Sequence, residues 1–143
     1  TYLAELGEGP QGEFWNGLST KREHPVPVRM AALATMEKLG LLAQDPALLN
    51  TLIQDIREEI MLRKFSVDAA KQVLERTAFE QELMLILSQS KNPFEMRQFA
   101  LDYLSDEPNP ALMPQLKQIL SREQSPALRA QLKAFLNALS KSA

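Results

Sequence analysis

The densest group of side chains able to do acid–base chemistry is three carboxylates, those of Asp55, Glu58 and Glu59. On a helix, Asp55 and Glu59 stand four residues apart and share a face, and paired carboxylates can exchange protons or bind a cation. The alternative is a solvated helix face beside Arg57 and Arg63. The solvated face is favoured because no other catalytic group accompanies the acids.

Other residue types used in catalysis are scarce. His24 is the single histidine, and its position in a charged turn favours a solvent-exposed, inert side chain. The chain has no cysteine, which excludes disulfides, cysteine metal sites and thiol catalysis and leaves the compartment open. No phosphate-binding glycine loop, zinc-protease motif or nucleophile elbow occurs. The sequence therefore predicts a protein that is not an enzyme and that has no cofactor or metal.

Three arginines, Arg29, Arg97 and Arg129, recur at one position of a repeated pattern. Such a row could meet an acidic partner or phosphates, or each arginine could pair with loop carbonyls or acids between repeats. The structural alternative is favoured for the row. Lys133 adds a basic pair with Arg129 at i, i+4, and Trp15 is either a core residue or an exposed anchor. These five residues are the candidates for contact with a partner.

The elements that would position these residues are all helical. Apolar residues recur at helical spacing, and no segment alternates apolar and polar residues as a strand does. We predict an all-α fold in which residues 1–10 are a lead-in and residues 11–143 form a single domain. Seven to eight helices are expected, at residues 11–20, 27–39, 46–62, from 64, 78–89, from 93, 110–121 and from 126.

Charge and composition narrow the range of partners. The net charge is −2 and the pI is about 5.5, whereas a protein that binds duplex DNA normally presents a basic face. Nucleic acid is therefore disfavoured as a partner. No apolar run approaches the roughly 18–20 residues that span a bilayer. A start at Thr1 rather than Met is typical of an excised domain or a processed chain.

The predicted helices form repeated pairs. The second helix of each pair aligns on an apolar residue at intervals of 37, 31 and 32 residues, namely Val28, Phe65, Met96 and Leu128. In this alignment the residue after the apolar anchor is arginine except in the second pair, where Ser66 stands. One amphipathic pair cannot bury both of its apolar sides, so a pair every 30–40 residues or so is typical of a helical solenoid.

Three phrases, PVPVRMAALATMEKLG, NPFEMRQFALDYLSD and SPALRAQLKAFLNAL, resemble the second helix of HEAT (armadillo-type) repeats. The resemblance covers about residues 11–140 and implies a short right-handed α–α superhelix of about four pairs. It also implies a scaffold that binds a protein or peptide along one face. The aspartate that the family usually places before its Val-Arg pair is replaced by His24, Asn92 and Ser125. Some HEAT-like proteins act on damaged DNA or attach bilin chromophores, so a HEAT-like enzyme, a ligand-handling protein and a section of a larger solenoid stay open as alternatives.

Overall fold

The protein is described by a computed structural model for residues 17 and 19–142. Every regular element in this part of the chain is helical and none is a strand, which confirms the all-α prediction for these residues. The lead-in and most of the first predicted helix lie outside the described residues, although Gly17, Ser19 and Thr20 at its end are helical. None of the described helices combines the length and the apolar character needed to cross a membrane.

Eight α-helices have defined bounds in the described part of the chain. They are α1 (Val26–Lys38), α2 (Leu41–Gln44), α3 (Pro46–Gln54), α4 (Ile60–Val73), α5 (Arg76–Ser88), α6 (Phe94–Asp106), α7 (Met113–Arg122) and α8 (Pro126–Ser142), with a 3₁₀ turn at Pro110–Leu112 before α7. Prolines stand in the first turns of α1, α3 and α7. Proline is tolerated there because the first helical N–H groups have no partner within the helix.

The helix predicted at 46–62 begins at Pro46 as expected, but its predicted end is wrong. The structure ends α3 at Gln54 and begins α4 at Ile60. The side chain of Asp55 accepts a hydrogen bond from the backbone N–H of Arg57 at 3.0 Å, a local contact that favours a turn over a helix. Ile56 kept the apolar spacing continuous in the sequence, but its side chain is 41% exposed.

Gly40 ends α1, as its position in the sequence predicts. Its φ of 75° lies in the left-handed region, which costs glycine little because it has no Cβ. The short helix α2 follows at once and places Leu41 and Leu42 in the core. This helix could not be predicted from the sequence, because a single turn is too short to show a helical period.

Contacts divide the chain into two compact units, Thr1–Glu82 and Leu83–Ala143, with the boundary inside α5. In the first unit α1 packs against α2 and α4, and α3 packs against α4. In the second unit α7 packs against α8. Each unit has its own set of buried apolar side chains, and the single domain expected for 11–143 stays a prediction.

Candidate binding groove

One arginine contact occurs four times in the described helices. The fourth residue of α1, α4, α6 and α8 is an arginine, and its guanidinium donates a hydrogen bond to a backbone carbonyl near the end of the preceding helical segment. The last carbonyls of a helix have no partner within the helix, so these contacts satisfy them. The nitrogen–oxygen distances are 2.8 Å for Arg29 to Ser19, 2.9 Å for Arg63 to Ile53, and 3.0 Å for both Arg97 to Leu87 and Arg129 to Leu120.

Arg63 corrects the alignment of the second helix pair. The sequence alignment placed Ser66 beside Arg29, but it is Arg63 that makes the equivalent contact. The hydroxyl of Ser66 donates instead to the carbonyl of Leu62, one turn back in its own helix, at 2.9 Å. With Arg63 in place, the arginines recur at intervals of 34, 34 and 32 residues. The two alignments differ because the apolar spacing of α3 continues through the loop between Gln54 and Ile60.

Arg29 also forms a buried ion pair with Glu58 from the loop between α3 and α4. The two guanidinium nitrogens donate to the two carboxylate oxygens at 2.6 and 2.5 Å, and neither residue is more than 7% exposed. Burial by itself would raise the pKa of Glu58. The hydrogen bonds from Arg29 and the Glu59 backbone, with the charges of Arg29 and Arg22, outweigh burial and hold that pKa below its usual value.

A second buried ion pair joins Arg97 to Glu123, in the turn between α7 and α8. Arg97 donates through both terminal nitrogens, with Nη1 at 3.2 Å from the carboxylate. The backbone N–H groups of Gln124 and Ser125 donate to the same carboxylate at 3.0 Å. Burial acts to raise the pKa of Glu123, but the contacts from Arg97 and these two N–H groups lower it overall.

The three carboxylates singled out in the sequence do not share one site. Asp55 forms an ion pair with Arg22, Glu58 is buried against Arg29, and the Glu59 side chain is exposed. The expected solvated face is therefore wrong for Glu58, because the acids stand in a loop and not on a helix. Over the described part of the chain, no group of three or more His, Cys, Asp or Glu residues is placed to hold a metal ion.

The predicted partner-binding residues occupy different environments. Arg29 and Arg97 are buried and held by internal contacts, which is the structural alternative that the sequence favours. Arg129 is half-buried, and its Nη1 donates to two backbone carbonyls. Lys133 is exposed on α8, and Trp15 lies outside the described residues. Of the candidates that the structure describes, Lys133 has the side chain most available to a partner.

An open groove of about 530 Å³ lies between α6 and α8 and is here called the α6/α8 groove. Each helix contributes residues at i, i+3, i+4 and i+7, one face over two turns. Buried Leu101 and Phe135 lie at its base, whereas Ala134 and Ala138 are exposed. The described residues that line it are Gln98, Leu101, Asp102, Ser105, Pro108, Gln131, Ala134, Phe135 and Ala138.

A smaller and more polar cavity of about 390 Å³ surrounds the second ion pair. Arg97 and Glu123 line it together with residues such as Ser88 and Arg122. The two charges buried there already bind each other and nearby backbone groups. A ligand that used them would first have to break those contacts, so the α6/α8 groove is the better candidate site.

Comparison of the chain with known protein families, curated proteins and solved structures gives no match. The candidate site therefore depends on the geometry of the groove itself. The sequence gives no motif for this groove, because most of its lining consists of small, aliphatic or neutral polar side chains. The available signal was the run of exposed alanines on α8, including Ala134 and Ala138, between its buried leucines.

Proposed function

We propose that this chain is a non-catalytic binding module that holds a protein or peptide segment in the α6/α8 groove. The observation that carries the proposal is the groove, an open apolar concavity formed by one face of each of two helices. Its volume lies within the range of roughly 300–1,000 Å³ common for binding pockets. We further propose that the helix pairs form a short HEAT-like solenoid, in which the second helices supply the binding surface.

The chemistry of the lining supports binding over catalysis. The side chains combine apolar atoms, the amides of Gln98 and Gln131 and the hydroxyl of Ser105, with a single carboxylate. The three buried carboxylates of the described residues, those of Glu58, Glu80 and Glu123, each form an ion pair with an arginine. A groove between two helix faces matches the mode in which a segment lies along a hydrophobic groove and inserts its anchor side chains.

The proposal is tested by selecting random 16-residue peptides displayed on phage against the immobilised chain. Ala134→Trp places a large side chain in the groove from an exposed position, so binders specific for the groove should lose affinity at least tenfold or so. Ala130→Trp is the matched control, because Ala130 is also exposed on α8 but does not line the groove. Circular dichroism checks that both variants remain folded.

Two results would contradict the proposal. One is that no peptide is enriched above a bare support. The other is that every enriched peptide binds the Ala134→Trp variant as well as the unchanged chain. Loss of binding in both tryptophan variants would also count against the groove, because it would show that a side chain outside the groove lining controls the contact.

A further inference from the structure

We infer that the partner of the α6/α8 groove is a basic amphipathic helix, whose apolar side fills the groove and whose lysine or arginine meets Asp102. The inference rests on the proposed function, since it names the chemistry of the segment that this same groove holds. Three observations carry it: the charge of the groove, the charges at the end of α6, and the spacing of the lining residues.

Asp102 sets the charge of the groove. It is the one ionisable side chain among the nine described residues that line the groove, and it is exposed. Its neighbours in the lining are apolar or neutral, so the charge that a bound segment meets within the lining is that of Asp102. A cation on the segment gains from this charge, and an anion at the same place is repelled.

The C-terminal half of α6 carries charges that the helix itself does not favour. Residues 83–143 contain five carboxylates, and three of them fall within 102–107. Asp102 and Asp106 stand four residues apart, and the last turn of α6 has no basic residue. Two carboxylates at this spacing repel each other, and the negative end of the helix dipole repels both. Each of these two effects destabilises the helix by a few tenths of a kcal/mol or more. A cation from a partner would relieve both effects.

The spacing of the lining favours a helix as the bound segment. On α8 the lining runs from Gln131 to Ala138, and on α6 from Gln98 to Ser105. Seven residues of helix span about 10 Å, which is two turns. A helical segment presents apolar side chains at i, i+4 and i+7 over the same length. The small side chains of Ala134, Ala138 and Ser105 let its backbone approach closely.

The experiment uses peptides selected on the unchanged chain that lose binding to the Ala134→Trp variant. We expect these peptides to carry lysine or arginine at helical spacing beside their apolar positions. Synthetic copies with one basic residue changed to glutamate are then compared by fluorescence anisotropy. We expect the change to weaken binding to the unchanged chain about three- to fivefold, the range for an exposed ion pair, and less so in high salt.

Charge reversal at Asp102 supplies the control. On an Asp102→Lys variant the preference should invert, so that the glutamate peptide binds better than its lysine parent. Lys117→Glu, an exposed charge change on α7 outside the groove lining, should leave the preference as it was. Circular dichroism spectra of the bound peptides should show helix.

The outcomes separate this inference from the proposed function. The inference would be overturned if the groove-dependent peptides lacked basic residues. It would also be overturned if the Asp102→Lys variant still preferred the lysine peptide to the glutamate peptide. In both cases the groove would remain a binding site. No groove-dependent peptide at all would overturn both. A concentration-dependent dimer by light scattering that Ala134→Trp abolishes would assign the groove to a second copy of this chain, and the basic partner would then be wrong.

Discussion

The two buried ion pairs and the α6/α8 groove show opposite uses of side-chain chemistry. Around Arg29–Glu58 and Arg97–Glu123, strongly charged groups are buried and bound internally. The groove lining combines exposed alanines and half-buried glutamines with a single exposed carboxylate. The residues most able to do chemistry therefore hold helices together, and the surface most open to a partner is made of residues that attract little notice in a sequence.

The physical reason for this difference is desolvation. A buried charge is costly unless a partner and hydrogen bonds replace its water, so arginine at a helix end recruits carbonyls and a glutamate. A docking surface has the opposite requirement, because its side chains must stay accessible in the free protein. Small and apolar side chains add little to the free-energy cost of binding, because they have few rotamers to order and bind little water that must be removed.

The largest effect should follow from removing one partner of a buried ion pair. We expect Glu58→Ala to lower the free energy of unfolding by about 3–5 kcal/mol, because it leaves the Arg29 guanidinium buried without its carboxylate. Urea denaturation followed by circular dichroism measures the change. Glu59→Ala is the matched control: that side chain is exposed, and its loss should change stability by no more than about 0.5 kcal/mol. Equal effects of the two variants would show that the pair does not stabilise the fold.

The ion pairs should also make stability depend on pH. The pKa values of Glu58 and Glu123 lie below the ordinary 4.5, so unfolding binds protons in acid. Their contribution to stability is therefore complete above the unfolded pKa and is lost as the pH falls through the lowered folded pKa. The urea concentration at the unfolding midpoint should decrease as the pH is lowered from about 6 to about 3. The decrease should be smaller in the Glu58→Ala variant. An equally steep fall in that variant would assign the acid sensitivity to other carboxylates.

A comparison of two arginines separates the carbonyl contact from the ion pair. Arg129 donates to the carbonyls of Leu120 and Glu123 and remains half-buried. We expect Arg129→Met to cost about 1.5–3 kcal/mol, the range for hydrogen bonds that involve a charged group. Arg97→Met should cost more because it leaves Glu123 buried without its arginine. The order of the two urea midpoints tests this, and a larger loss for Arg129→Met would contradict it.

The smallest effect on stability is expected at the groove. Ala134→Trp adds volume at an exposed position, so its free energy of unfolding should match that of the unchanged chain within about 0.5 kcal/mol. Peptide binding should be lost while the thermal midpoint stays constant. A marked loss of stability would place Ala134 in the packed core, and the contrast between the two regions would then fail.

The sequence predicted the helical class and most helix positions because apolar spacing is a local signal. Gly40 and the prolines in first turns marked helix ends for reasons of backbone chemistry. The break after Gln54 escaped detection because Ile56 keeps the apolar period while its side chain is exposed. The partner of Glu58 could not be predicted, since Arg29 lies 29 residues earlier and only folding brings them together. The groove was missed for the same reason, because α6 and α8 are separated in the sequence.

The arginine–carbonyl contacts have a consequence for the order of folding. Three of them join residues ten apart in the chain and the fourth joins residues nine apart, whereas the arginine–glutamate contacts span 29 and 26 residues. Closing a shorter loop costs less chain entropy and is faster. Each arginine can therefore join its own helix to the preceding one before the glutamate of the next pair arrives. A chain that folds in this order would assemble from one helix pair to the next.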